Sequence, residues 1–207
     1  GYAVIVPNFR ITPGLGSKIY YAGFGSYGRQ MSDAHEDALN WGIKEGFVDP
    51  SRVCMSGASY GGYAALQALV RSSDLWKCAV AGLAVTDLKY QLTAVEGDTA
   101  SATNQAGVNF WKSVLGTQDL DSAIVKEISP VFFADKIKRP VFLYAGLDDV
   151  RVPIAQIQDM ASNLSKAGNP PKAFVIKEKE GHGFGKLENN VDLCNQILKF
   201  LDTQIGK

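Results

Sequence analysis

The feature that most constrains the fold is the alternation of short apolar runs with helical patterns along the chain. Three of the five runs are continuously apolar, which is typical of strands that a parallel sheet buries on both faces. Strands that alternate with helices in this way predict a parallel sheet with helices on both faces. The predicted strands are residues 2–6, 53–56, 78–84, 141–145 and 173–177.

Helical periodicity fills the segments between most of these strands. The last predicted helix should bury one apolar face against the sheet; that face contains Val191, Cys194, Leu198 and Leu201. Residues 87–130 are less regular, and we expect helices and loops there, above the ligand-binding edge of the sheet. The predicted helices are residues 32–45, 60–71, 154–167 and 188–204.

Length and charge exclude several classes of function. With 207 residues the chain fits one domain with a substantial core. Its 21 basic and 21 acidic residues cancel, so there is no electrostatic basis for binding nucleic acid or an anionic membrane. The longest apolar stretch, around residues 78–85, is too short to span a bilayer. No signal peptide is visible, which favours a cytoplasmic location.

The three cysteines are Cys54, Cys78 and Cys194, an odd number at wide spacing. Such a pattern fits neither a disulfide framework nor a zinc site. We therefore expect all three to be small, buried, apolar side chains.

One short motif points to chemistry: Gly57-Ala58-Ser59-Tyr60-Gly61 has the form G-x-S-x-G. It lies between a predicted strand and a predicted helix, the context of a nucleophile elbow. A turn this tight should leave no room for flanking side chains, which would explain Gly57, Gly61 and Gly62. The N-terminus of the helix would favour negative charge developing above it. We predict that Ser59 is a nucleophile and that the backbone N–H of Tyr60 is an oxyanion donor.

A serine nucleophile needs a general base, and the chain contains only two histidines. In this fold class the nucleophile comes first, an acidic residue second and the histidine last. His182 obeys that order, whereas His35 precedes the serine and is expected to be solvated or to cap a helix. Asp148 and Asp149 follow the fourth predicted strand, where a buried carboxylate would orient the imidazole. Periodicity does not distinguish these two aspartates.

Taken together, the motifs resemble the prolyl oligopeptidase family of serine peptidases, in the branch with acylaminoacyl and dipeptidyl peptidases. The resemblance is carried, in chain order, by GYAVIVPNFR, FVDPSRVCMSGASYGGY, SPVFFADKI, GLDDVRVP and EGHGF. It implies an α/β-hydrolase fold and cleavage of short peptides through an acyl-enzyme, with no cofactor and no metal. The family pattern Gly-x-x-Asp-x-Arg-Val-Pro selects Asp149 over Asp148 as the third member of the triad.

The same resemblance implies the substrate contacts. Arg151 stands where the family often has a polar residue that reaches the substrate backbone, with a surface ion pair as the alternative. An apolar pocket for the substrate side chain would be formed by Val85, Leu88 and Val152.

The resemblance also implies that residues 1–207 are the C-terminal part of an α/β-hydrolase catalytic domain. Three strands with the second oxyanion donor, and an N-terminal β-propeller, would precede Gly1, so the isolated chain should be poorly active. Residues 2–6 should then pair directly with residues 53–56 or depend on a partner chain, and a homo-oligomer is compatible with this arrangement. The alternative functions are a carboxylesterase on the same fold and an inactive fragment that serves as an interaction domain.

Overall fold

Four parallel strands form a single sheet in the computed structural model, which describes residues 1–94 and 105–206. The strands are adjacent in chain order, so each crossover returns to the next position in the sheet. The prediction of a parallel sheet is confirmed, and four of the five predicted strands are present. They are β1 (Cys54–Ala58), β2 (Cys78–Gly82), β3 (Val141–Gly146) and β4 (Ala173–Lys177).

Helices cover both faces of this sheet. On one face α3 and α7 pack against alternate residues of the two central strands, including Ala79 and Leu143. On the other face α8 packs against the residues between them, including Val80 and Phe142. The helices are α1 (Ser17–Tyr21), α2 (Gln30–Lys44), α3 (Tyr60–Ser72), α4 (Leu88–Thr93), α5 (Gln105–Leu115), α6 (Ala123–Glu127), α7 (Ile154–Lys166) and α8 (Leu187–Ile205), with a 3₁₀ segment at Pro130–Lys136.

The strand predicted at residues 2–6 is not formed. Val4 and Val6 are 80% and 83% exposed, and in the described residues β1 pairs with β2 alone. The expected direct pairing of residues 2–6 with residues 53–56 is therefore wrong. An extended segment becomes a strand only when a neighbour accepts its backbone hydrogen bonds, and no neighbour is in place here. Dependence on a partner chain stays a prediction.

The prediction for the cysteines is also wrong. Cys54 and Cys78 form a disulfide and stand opposite each other in the register of β1 and β2, with their Cα atoms 4.7 Å apart. Cys194 is free and exposed. The spacing of the cysteines along the chain could not reveal this bond, because parallel strand pairing brings together residues that are 24 positions apart.

Helix α8 buries a different face from the predicted one. Leu193 and Phe200 are buried, with Ile197 and Leu201 packed beside them. Of the four predicted residues, Leu201 thus packs on the core, whereas Val191, Cys194 and Leu198 are exposed. Both sets of residues have helical spacing, so periodicity alone allowed either face. The ring of Phe142 selects the observed one, with its centroid 5.6 Å from that of Phe200. Among the described helices, none combines the length and the apolar character that crossing a membrane requires.

Candidate active site

Ser59 is the single residue between the end of β1 and the start of α3. Its backbone has φ 58° and ψ −120°, a sparsely populated region for a residue with a side chain. The Ser59 N–H donates to the carbonyl of Gly82 at 2.9 Å, and the Ser59 carbonyl accepts from the N–H of Tyr63 at 3.0 Å. These two bonds fix the strained Ser59 backbone to β2 on one side and to the start of α3 on the other, as the elbow prediction requires.

Two of the three neighbouring glycines are needed for space. A Cβ on Gly57 would lie 2.6 Å from the Cα of Gly61, and a Cβ on Gly62 would lie 2.4 Å from the carbonyl oxygen of Gly82. A Cβ on Gly61 would have nothing within 4 Å, so the expectation of a clash at that position is wrong. The turn is tight because the Gly61 backbone packs on Gly57, and because α3 packs on the end of β2.

Asp149 and His182 are in direct contact. Asp149 Oδ2 lies 2.8 Å from His182 Nδ1, and the two side chains are only 1% and 14% exposed. The other carboxylate oxygen, Oδ1, accepts the N–H groups of Arg151 at 2.9 Å and Val152 at 3.0 Å. Asp148, by contrast, is exposed. The loop after β3 therefore fixes the Asp149 carboxylate with one oxygen directed at the imidazole.

The loop that carries His182 is anchored by Glu180, a residue that the sequence analysis did not single out. Its buried carboxylate accepts from the side-chain amide of Asn189 at 2.5 Å and from the N–H groups of Gly185 at 2.5 Å and Lys186 at 3.2 Å. The bond from Asn189 contributes most to lowering the pKa of the Glu180 carboxyl, followed by the two backbone bonds. Glu180 thus ties the His182 loop to the N-terminus of α8.

The three predicted triad residues follow the carboxyl ends of β1, β3 and β4, which lie at one edge of the parallel sheet. Asp149 and His182 are joined there. A hydrogen bond from Ser59 Oγ to His182 is not formed among the described residues, and such bonds often tighten only when substrate binds. Over residues 1–94 and 105–206, no three His, Cys, Asp or Glu side chains are grouped so that they could hold a metal ion.

The side chain of Tyr60 lies inside an aromatic cluster beneath the elbow. Its ring stacks on Phe9 with 4.7 Å between centroids and meets Tyr27 edge-on at 5.4 Å. Burial raises the pKa of the Tyr60 phenol well above its ordinary value. His35 also belongs to this cluster, 5.4 Å from Phe9, and burial lowers its pKa. The prediction that His35 is solvated or caps a helix is wrong.

The residues predicted to bind substrate are divided between core and surface. Val85, Leu88 and Val152 are buried together in one apolar cluster that Tyr60 packs against. Arg151 is exposed, and its guanidinium makes no ion pair with any described residue. The structure therefore brings the three apolar residues together and leaves the Arg151 side chain directed to solvent.

The sequence profile of the prolyl oligopeptidase family matches residues 1–207. The chain belongs to the prolyl oligopeptidase family. Within this family, the dipeptidyl aminopeptidase BIII of Pseudoxanthomonas mexicana is 34% identical over 190 residues, which are 92% of this chain and 27% of that protein. The acylamino-acid-releasing enzyme of Rattus norvegicus is 23% identical over 215 residues, covering 100% of this chain and 28% of that enzyme.

Solved structures of similar proteins confirm the predicted α/β-hydrolase fold. A puromycin-hydrolyzing peptidase of Mycobacterium tuberculosis superposes with a TM-score of 0.87 and 26% identity, over 96% of this chain and 29% of that chain. The acylaminoacyl peptidase of Pyrococcus horikoshii superposes with a TM-score of 0.83 and 22% identity, over 97% of this chain and 32% of that chain. This member of the prolyl oligopeptidase family thus spans less than a third of these relatives.

Proposed function

We propose that the chain carries the Ser59–Asp149–His182 triad of a serine peptidase that hydrolyses short peptides through an acyl-enzyme. The observation that carries the proposal is the buried contact of 2.8 Å between Asp149 and His182, at the edge of the sheet where the strained Ser59 is presented. Membership of the prolyl oligopeptidase family supports the same assignment. Acyl transfer by a triad uses a serine, an imidazole and a carboxylate held at one site, and serine, aspartate and histidine follow one another here in the chain order of α/β-hydrolases.

In the proposed mechanism, the Ser59 hydroxyl attacks the carbonyl carbon of the peptide while His182 Nε2 accepts its proton. Asp149 Oδ2 accepts the hydrogen bond from Nδ1–H, which fixes the tautomer and stabilises the imidazolium that forms. The Tyr60 N–H at the start of α3 donates to the oxyanion. His182 then gives its proton to the leaving amine, and a water molecule activated by the same histidine hydrolyses the acyl-enzyme.

For the substrate, we propose that Arg151 binds the peptide backbone and that the apolar cluster of Val85, Leu88 and Val152 contacts the side chain next to the cleaved bond. The guanidinium of Arg151 is exposed and forms no ion pair within residues 1–94 and 105–206, which supports its part in this assignment. We further propose that residues 1–207 are the C-terminal part of the hydrolase domain of a longer enzyme with upstream strands and a β-propeller. The coverage of 27% to 32% of the relatives supports this part of the proposal.

Labelling with an organophosphonate tests whether Ser59 is the nucleophile. Two proteins are labelled: residues 1–207 alone and the full-length protein encoded by the same gene. Ser59→Ala should abolish labelling and lower peptide turnover by several orders of magnitude. Ser56→Ala is the matched control, because Ser56 lies on the same strand and is exposed. It should be labelled at the wild-type rate. Undiminished labelling of the Ser59→Ala protein would overturn the assignment.

A second assay separates a peptidase from a carboxylesterase. The enzyme is given a dipeptide anilide and the ester of the same dipeptide, so that only the bond to be cleaved differs. A peptidase should hydrolyse both, whereas a dedicated esterase should hydrolyse the ester alone. Labelling of Ser59 together with hydrolysis of the ester only would refute the proposed peptidase activity while retaining the nucleophile.

A further inference from the structure

Two buried glutamines join the loops that follow β2 and β3. Gln156 on α7 is 1% exposed and Gln91 on α4 is 8% exposed. Gln156 Nε2 donates to Gln91 Oε1 at 2.6 Å, and Gln91 Nε2 donates to the carbonyl of Arg151 at 2.8 Å. Both amides therefore face each other inside the protein rather than solvent, which is an expensive arrangement unless the polar groups are paired.

Within this pair, Gln156 holds the loop after β2. Gln156 Oε1 accepts the N–H of Thr86 at 2.7 Å and that of Asp87 at 2.8 Å. The Thr86 hydroxyl in turn donates to the backbone carbonyl of Gln156 at 2.8 Å. This loop lies between Val85 and Leu88, two of the residues assigned to the substrate, so α7 determines where they stand.

Gln91 is linked to the Asp149 carboxylate through one peptide unit, the one between Arg151 and Val152. The carbonyl of Arg151 accepts from Gln91, and the N–H of Val152, in the same peptide unit, donates to Asp149 Oδ1 at 3.0 Å. Because a peptide unit is planar and stiff, fixing its oxygen also fixes its N–H. Hydrogen bonds thus run without a break from Gln156 to the carboxylate that faces His182.

We infer that Gln91 and Gln156 are positioning residues for the proposed triad: they hold the peptide unit between Arg151 and Val152 so that Asp149 is aimed at His182. This inference rests on the proposed function. Asp149 matters most when the imidazolium forms in the transition state. Loosening it should lower kcat and leave KM nearly unchanged. A purely structural role of the pair would instead lower the folded fraction and leave the turnover of each folded site intact.

The test replaces Gln91 with methionine, which has a similar shape but cannot donate to the Arg151 carbonyl. Titration with an organophosphonate counts the competent sites, so that kcat is expressed per active site. We expect kcat to fall about tenfold to a hundredfold, because a displacement of about 1 Å in a catalytic group can cost about a hundredfold. KM for a dipeptide anilide should stay within about twofold, as expected when only transition-state stabilisation is lost.

Gln67→Met is the matched control. Gln67 is also buried, on α3, but its Oε1 has no partner in the part of the chain that the structure describes. Its kcat per site should equal that of the wild type. Gln156→Met is a second variant in case Gln91→Met does not fold. Its side chain cannot donate to Gln91, so kcat per site should fall as it does in Gln91→Met.

A double variant shows whether the two glutamines affect kcat through the same peptide unit or independently. If both glutamines act through the same peptide unit, Gln91→Met with Gln156→Met should cost no more in kcat than the larger single change. Losses that multiply, or wild-type kcat per site in Gln91→Met, would overturn the inference. Either result would refute the role of the glutamines without affecting the proposed function. Undiminished labelling of Ser59→Ala would instead refute the proposed function itself.

Discussion

The two adjacent glycines in the first turn of α3 allow a matched test of how the elbow is packed. Alanine at Gly62 would place its Cβ 2.4 Å from the carbonyl oxygen of Gly82 and 2.9 Å from the Cβ of Ala84. Alanine at Gly61 would meet nothing within 4 Å. Since Gly82 O also accepts the Ser59 N–H, the clash at Gly62 acts directly on the backbone bond that holds the nucleophile.

The magnitude follows from two opposing effects. Overpacking of a close contact costs about 1–3 kcal/mol of unfolding free energy, whereas replacing glycine by alanine in a helix contributes about 0.5–1 kcal/mol of stability. The helix preference is shared by both variants and largely cancels when they are compared. Gly62→Ala should therefore be less stable than Gly61→Ala by about 1–3 kcal/mol, or about 2–12 °C in Tm for a domain of this size.

Thermal and urea unfolding, followed by circular dichroism, measure this difference, and the rate of organophosphonate labelling reports on the elbow. Gly62→Ala should unfold earlier and be labelled more slowly than Gly61→Ala, because moving the Gly82 carbonyl also displaces Ser59. Equal unfolding midpoints, or a lower midpoint for Gly61→Ala, would refute the packing interpretation.

Two further predictions concern the acidic residues of the site. Asp149→Asn should lower peptide turnover by about 10⁴, whereas Asp148→Asn should have little effect because that side chain is exposed; equal losses would contradict the assignment of Asp149. Folding lowers the pKa of Glu180, so its stabilisation is complete above the pH range in which free glutamates titrate and is lost as the pH falls through the lowered pKa. The difference in Tm between the wild type and Glu180→Gln should therefore shrink on acidification, and a difference independent of pH would exclude this role.

The parts of the fold that the sequence predicted are those determined by local pattern. β4 was predicted at residues 173–177 and is observed there, and β3 differs by one residue. The continuous apolar run of β3 is what a central parallel strand requires, whereas the apolar run of β4 forms the outer strand beside β3. The Ser59 turn could also be predicted from local pattern. A nucleophile elbow consists of a strand, a tight glycine-rich turn and a helix within a few residues of each other, and all three leave a mark in the sequence.

The errors arose where the outcome depends on a distant neighbour. Residues 2–6 have the composition of a strand but no partner in the described chain. The buried face of α8 was chosen by Phe142, and the Cys54–Cys78 bond by the register of β1 and β2. No local spacing contains that information.

The site shows the same division. His182 could be named because it is the histidine that follows the serine in the order typical of the fold, and Asp149 because the family pattern selects it over Asp148. The structure places the two side chains in contact. Glu180 and the glutamine pair could not be named, because their partners come from loops and helices that are remote in sequence. A buried amide that contacts a helix side chain 65 residues away leaves no periodic pattern in the sequence.

The position of β1 at the border of the sheet has a consequence for local stability. Edge strands exchange their amide hydrogens through openings that cost less than global unfolding, whereas central strands are protected almost up to the global value. In the sheet formed by the described residues, Ser59 extends from such an edge, while Asp149 extends from β3, which has a neighbour on either side. The nucleophile and the acidic residue would thus belong to cooperative units of unequal strength. Any molecule that pairs with the outer side of β1 in the native state would slow the amide exchange of β1. By linkage it would also raise the population of molecules in which β1 is closed and Ser59 keeps its turn conformation.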